Sequence, residues 1–242
     1  MLKLRWASAT DVGRIRESNE DSMFCSDLLF AVADGMGGHA AGELASKLAV
    51  QAMAELSQHG PLDVDAVQQA IEAANDAILS TGAQHPDQAG LGTTLAGVAV
   101  VTVAGVEHWA VFNVGDSRIY RFSDGRLVQL SADHSAVQEL VDAGLLDEAG
   151  ARSHPQRNVV TRSLGSSPAP IPDIDLHEPV VGDRLLICSD GLTNELLDDE
   201  IAEVLQSHPE PERAAAELVR RANQAGGRDN TTVVVIEVVG LE

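Results

Sequence analysis

Apolar positions along the chain change period several times. From Gly42 to Ser57, Leu44, Ala45, Leu48, Ala49, Ala52, Met53 and Leu56 recur every three or four residues, the stripe of an amphipathic helix. Val67, Ala70, Ile71, Ala74 and Ile78 repeat the pattern between Asp63 and Thr81, with Asp63 suited to the N-cap. A second helix pair is predicted over Asp198–Ser207 and Pro211–Ala225, where Pro211 fits a first turn and Gly226-Gly227 a stop. Elsewhere the apolar residues form short runs rich in Val and Ile. These predict strands at Leu2–Ser8, Leu28–Ala33, Thr94–Val103, His108–Val114, Arg118–Phe122, Leu127–Leu130, Asp175–Pro179, Arg184–Cys188 and Thr231–Val239. Asp124-Gly125 marks a hairpin between two of them. A further helix is expected over Asp133–Ala143, inside a stretch of weak periodicity from about 135 to 165 that reads as a mobile flap.

A long block of strands between two helix pairs favours a sandwich of helices, sheet, sheet and helices over regular βαβ winding. The loop-like stretches 84–92, 165–173 and 207–212 are short, no composition shift divides the chain, and no repeat of fixed period runs through it. One domain over residues 1–242 is the expectation.

Composition supports a packed core. Of 242 residues, 44% are hydrophobic, which excludes global disorder, while only 3% are aromatic. The formal charge is −21, and the 16 Lys and Arg residues are scattered. Such a surface repels nucleic acid and anionic membrane. For most carboxylates a solvated, solubilising role suffices. Cys25 and Cys188, the only cysteines, form no CxxC and read as free thiols of a reducing compartment. Met1–Thr10 lacks an apolar signal stretch, and the longest apolar run, Leu95–Val106, is broken and too short to span a bilayer. The expectation is a cytoplasmic protein without membrane insertion.

Four aspartates stand where apolar runs end or begin. Asp34 closes Leu29–Ala33, Asp116 follows Val111–Gly115, Asp190 closes Leu185–Ser189, and Asp229 lies just before Thr231–Ile236. Gly35, Gly115 and Gly191 flank three of them and would permit tight exposing turns. A strand-end Asp is also a common turn residue, and spacing does not by itself bring the four together. If they converge they need protons or cations, because two like charges about 4 Å apart cost roughly 4 kcal/mol at an effective dielectric near 20. Oxygen ligands without a His/Cys set select Mg²⁺ or Mn²⁺ over zinc. Gly35, Gly37 and Ala40 also match a loose dinucleotide fingerprint, but Asp34 would repel a pyrophosphate and the surroundings are not βαβ.

Six motifs occur in order: Arg16-Glu17-Ser18-Asn19-Glu20-Asp21, Asp34-Gly35-Met36-Gly37-Gly38-His39, Gly92-Thr93-Thr94, Asn113-Val114-Gly115-Asp116-Ser117-Arg118, Ser189-Asp190-Gly191-Leu192 and Asp229-Asn230-Thr231-Thr232. In these the chain resembles the bacterial branch of the metal-dependent protein phosphatases, the PPM or 2C-type serine/threonine phosphatases, from about Trp6 to Val239. The resemblance implies an α+β fold, an α-β-β-α sandwich of two antiparallel sheets flanked by helix pairs. It implies two Mn²⁺ or Mg²⁺ ions, with Asp34 bridging both, the Gly35 carbonyl on one, and Asp190 and Asp229 completing the other. Asp116 matches the position that helps hold a third, weaker ion. Glu20 and Asp21 match acids that hydrogen-bond metal-bound waters, and Arg16 matches the phosphate-binding arginine.

The implied reaction is hydrolysis of phosphoserine and phosphothreonine in proteins by a metal-bridging hydroxide, opposing a bacterial Ser/Thr kinase. Many eukaryotic relatives carry a leaving-group acid, His, two residues after the bridging Asp. Here Met36 stands there; His39 is the tentative acid, and a metal-bound water is the alternative. A monomer is expected. The alternatives are a pseudophosphatase or phosphoprotein-binding scaffold, which loss of a core ligand would signal, and a metal-dependent nuclease or nucleotide hydrolase, where the few basic and aromatic residues argue against nucleic acid. Thr161–Gly165 resembles the recurrent end of the family's variable flap, and a structural strand or turn is an equal reading of it.

Overall fold

The computed structural model describes residues 2–37, 40–84 and 90–241. Most of the 84–92 loop expected from sequence therefore lies outside the described residues. One five-stranded sheet runs in the order β1 (Leu2–Asp11), β12 (Thr231–Leu241), β11 (Arg184–Cys188), β8 (Arg118–Ser123), β9 (Arg126–Gln129). The other runs β10 (Asp173–His177), β7 (Val106–Val114), β6 (Leu95–Val103), β3 (Leu29–Ala33), β2 (Ser22–Cys25). Every neighbouring pair in both sheets is antiparallel. A third pairing, β4 (Gly35–Met36) with β5 (Gly92–Thr93), sits beside the second sheet's end.

The central strands read as unbroken apolar runs because both of their faces are covered. Along β3, Phe30 and Val32 face the opposite sheet, while Leu29, Ala31 and Ala33 face helices. Along β12, Val234, Ile236 and Val238 join the core between the sheets, and Val233 and Val235 face outward to the other helices. Leu185 and Ile187 alternate in the same way with Leu186 and Cys188 on β11. Each such fully buried aliphatic contributes about 1.5–3 kcal/mol. α1 (Ala40–Leu56) and α2 (Val64–Gln84) cover the second sheet with Ala45, Ala49, Met53, Ile71 and Ile78. α6 (Asp198–Ser207) and α7 (Pro211–Ala225) cover the first with Ile201, Val204, Leu218 and Ala222. The four layers are the α-β-β-α sandwich expected from the sequence.

Local signals operate as expected. The Asp63 carboxylate accepts from the Ala66 amide at 2.7 Å and caps α2. Asp124 and Gly125, with φ of 50° and 75°, make the β8–β9 hairpin. Five short elements have no counterpart in the periodicity: β2, β4, β5, α4 (Glu148–Ser153) and α5 (Asp190–Thr193). The 135–165 stretch holds α3 (Ala136–Asp142) and α4 (Glu148–Ser153), capped by Ser135 and Asp147. Its two stems meet at an antiparallel bridge between Ser135 and Val160. No described helix is long and apolar enough to cross a membrane.

Candidate metal and phosphate site

The strand ends do bring the aspartates together. Asp34, Asp116, Asp190 and Asp229 line one cleft of about 260 Å³, with Arg16, Glu20 and the Gly35 backbone also in its wall. Asp34 leaves β3 and Asp116 leaves β7, both in the second sheet. Asp190 leaves β11 and Asp229 precedes β12, both in the first. The cleft thus opens at one end of the interface between the two sheets.

Each carboxylate is held by its own backbone context. The Asp34 amide donates to Thr94 Oγ1 at 2.9 Å, and its carbonyl accepts from the Thr94 amide at 2.9 Å and from Thr93 Oγ1 at 2.8 Å. Gly35 lies so close to Gly42 and Glu20 that a Cβ would collide with their backbones, so α1 starts tight against the site. Asp116 follows Gly115, whose φ of 114° a side chain would strain, and whose Cβ would strike Thr94. Asp190 opens α5, with Asn194 Nδ2 on its Oδ2 at 2.9 Å. Asp229 accepts from the Asn230 amide at 2.9 Å and from Arg16 Nη2 at 2.7 Å.

The loop carrying Arg16, Glu20 and Asp21 is latched by one buried side chain. Asn230 Oδ1 accepts from the Glu20 amide at 2.8 Å, while its Nδ2 donates to the Val12 and Ser18 carbonyls, both at 2.9 Å. Asp21 Oδ2 accepts from Ser189 Oγ at 2.7 Å, one residue before Asp190. Sequence reasoning quoted Asn230, Thr93, Thr94 and Ser189 within motifs but gave them no role. Ser189 and Asn230 carry a local signal, a polar residue directly beside a strand-end aspartate, whereas Thr93 and Thr94 meet Asp34 only through the fold. Met36 lines the cleft. His39, the tentative acid, and Gly38 of the glycine-rich segment lie outside the described residues.

The electrostatics of the cluster are unfavourable without cations. Burial, followed by the charges of Asp21, Asp190, Asp116 and Asp229, raises Asp34 well above the usual carboxylate range. Burial and then Asp190 raise Asp116 to about 8. Burial raises Asp21 to about 7, and burial with Asp229 raises Asp190 to about 6. Burial disfavours the Arg16 charge, but Asp229, Glu20 and Asp34 together outweigh it and hold the guanidinium more firmly protonated.

Among the described residues no three side chains already close into a metal cage. The carboxylates line a cleft, with Asp229 turned to Arg16 and Asp190 to Asn194. The donor set nevertheless fits a hard divalent cation. All its side-chain donors are carboxylate oxygens, and Asp21 Oδ1 and Asp190 Oδ1 are buried without any partner. A bound divalent cation would pair such buried carboxylate oxygens and offset the cost of their burial.

The family model described as protein phosphatase 2C matches residues 17–227. The chain belongs to the protein phosphatase 2C family. Within the family it is 42% identical over 246 residues to the serine/threonine protein phosphatase PstP of Mycobacterium tuberculosis strain H37Rv, covering 100% of this chain and 46% of that protein. The chain thus spans about half the length of that relative. It is 38% identical to a putative protein phosphatase 2C-type of Streptococcus pyogenes, covering 94% of each. The crystal structure of the PstP catalytic domain in complex with 2 manganese ions matches with a TM-score of 0.91 at 38% identity, over 99% of this chain and 100% of that one. The protein phosphatase 2C fold, two antiparallel sheets between helix layers, is therefore the fold of this chain.

Proposed function

We propose that this chain is a metal-dependent phosphatase domain that hydrolyses phosphoserine and phosphothreonine in proteins. The observation that carries the reading is the convergence of Asp34, Asp116, Asp190 and Asp229 on one cleft beside Arg16. The names of its family relatives, serine/threonine protein phosphatases, support it. Asp34, Asp190, Asp229 and the Gly35 carbonyl would hold two Mn²⁺ or Mg²⁺ ions, and Asp116 would help hold a weaker third. Bound there, such ions offset the carboxylate charge and lower the pKa of a bound water toward neutrality.

The chain's own residues do the rest. Arg16, half-exposed at the cleft rim, offers a planar fork that matches two phosphate oxygens. Glu20, in the cleft wall, and Asp21, hydrogen-bonded behind it to Ser189, would orient water around the site. Met36 has no proton to give a leaving group; His39 is proposed for that role on sequence position alone, with a water on the ions as the alternative. A second groove of about 840 Å³ shares Asp116 and Asp190 with the cleft and runs between α3, α4 and the start of α6. Its volume would admit a short peptide segment flanking the phosphoresidue, and the 135–165 flap forms one of its walls.

The substrates would be phosphoproteins, with a Ser/Thr kinase as the opposing enzyme, and the chain would act as one domain and as a monomer. The free thiols of Cys25 and Cys188 suit a reducing, cytoplasmic setting. Asp190→Asn tests the reading against a scaffold. Removing one ligand forfeits several kcal/mol of charge stabilisation, so phosphothreonine peptide turnover is expected to fall about 10³-fold. Equal behaviour of wild type and variant, both binding phosphoprotein and neither hydrolysing it, would overturn the reading in favour of the pseudophosphatase.

A further inference from the structure

His134 is buried, 5% exposed, at the first stem of the flap, and both its backbone and its ring are fully engaged. Its amide donates to the Gly115 carbonyl at 2.9 Å, and the Gly115 amide returns a bond to His134 Nδ1 at 3.0 Å. The pair clamps the one residue whose turn aims Asp116. The same Gly115 carbonyl accepts from Asn113 Nδ2 at 3.0 Å.

The hydrogen bonds decide the tautomer. Nδ1 accepts from an amide, so it carries no proton, and the ring proton sits on Nε2. Nε2–H then donates to Asp173 Oδ2 at 3.0 Å, on the first residue of β10. Arg162 Nη1 donates to Asp173 Oδ1 at 2.9 Å, and its 3.1 Å approach to Nε2 is a contact between two donors, not a bond. On the other flap stem, the Thr161 amide donates to the His134 carbonyl at 2.8 Å, beside the Ser135–Val160 bridge.

We propose that His134 is a positioning residue that locks the Asp116 turn to the root of the flap. Its neutral ring joins the end of β7 to the start of β10, and its backbone carbonyl ties in the exit of the flap. It touches no reacting atom and acts through Gly115. Asp116 enters the chemistry only through the phosphatase reading above, on which the functional half of the proposal rests.

The test compares side chains that mimic one ring nitrogen each. Asn places an acceptor near the Nδ1 position, and Gln places a donor near Nε2. His134→Asn is expected to keep the Gly115 bond, with phosphopeptide turnover within about threefold of wild type. His134→Gln is expected to lose it, lowering turnover about 10- to 100-fold and raising the Mn²⁺ concentration needed for half-maximal rate about tenfold. Amide hydrogen exchange at Gly115, read by NMR on the full chain, is expected to be slow in wild type and His134→Asn and at least tenfold faster in His134→Gln. Asp173→Asn leaves the imidazole in place and weakens its anchor. It is expected to fall between the two, and it carries the test if a His134 variant fails to fold. A merely structural histidine would lower the melting temperature in both variants without this ranking. Equal Gly115 exchange in Asn and Gln variants, or an unimpaired His134→Gln enzyme, would overturn the proposal. If wild type itself releases no phosphate, the phosphatase reading fails, while the Gly115 exchange ranking still decides the clamp.

Discussion

Arg16 and Asp229 share a 2.7 Å ion pair at the rim of the cleft, where a cation from the chain itself meets the carboxylates. The same guanidinium is the phosphate ligand of the proposed reaction. Because a charged hydrogen-bonding pair is worth about 1.5–3 kcal/mol, Arg16→Ala is expected to lower kcat/KM for a phosphopeptide by roughly 10- to 150-fold. Arg16→Lys keeps the charge and loses the fork, so it is expected to recover only part of that loss. Steady-state kinetics on the three proteins check both statements. At this scale the four strand-end aspartates are legible from residue type and position, while Arg16, Glu20 and Asp21 are singled out only through the resemblance to the phosphatase family. Asn230 and His134 are legible in neither way, because their roles lie in bonds to backbone 210 residues and 19 residues away, and no local pattern encodes them.

Elements with a strong period were readable from sequence almost to the residue. Arg184–Cys188, Asp198–Ser207 and Pro211–Ala225 begin and end where the apolar stripes do. The unread elements are short and owe their form to neighbours. β2 has four half-buried residues and is a strand because β3 pairs with it, Ser22 opposite Ala33 and Cys25 opposite Phe30. β4 and β5 are two residues each, held where Gly35 faces Thr93. α5 is a single turn that exists to carry Asp190 inward from β11.

Helix packing also sets a pH dependence. Glu217 on α7 binds Arg220 and Arg221, and Arg221 reaches across to Glu203 on α6. The hydrogen bond from Arg220, against a smaller opposing effect of burial, lowers Glu217 to about 2. A depressed carboxylate stabilises the fold above its unfolded pKa of about 4.3, and the contribution disappears as pH falls toward 2. Glu217→Gln is therefore expected to be less stable than wild type at pH 7, by well under 1 kcal/mol for so exposed a pair, with the gap closing between about pH 4.5 and pH 2. Urea unfolding at a series of pH values measures this.

At the scale of the whole molecule, the four-layer sandwich is a device for bringing strand ends from two sheets to one rim. Each sheet contributes two aspartates, and neither sheet alone holds a complete set. The formal charge of −21 acquires a different meaning in that light. Most of it reads as solvated surface, but four carboxylates are concentrated where a phosphate would enter in the proposed reaction. Two divalent ions would add four positive charges, bring the total to about −17 and reverse the field of the cleft. The most direct measurement follows phosphate released from a phosphothreonine peptide while Mn²⁺ is titrated into metal-stripped protein, with calorimetry recording metal bound. The expected result is no release without metal, a rate that rises and saturates with occupancy, and its loss on adding chelator. Full metal occupancy with no release of phosphate would contradict the assignment.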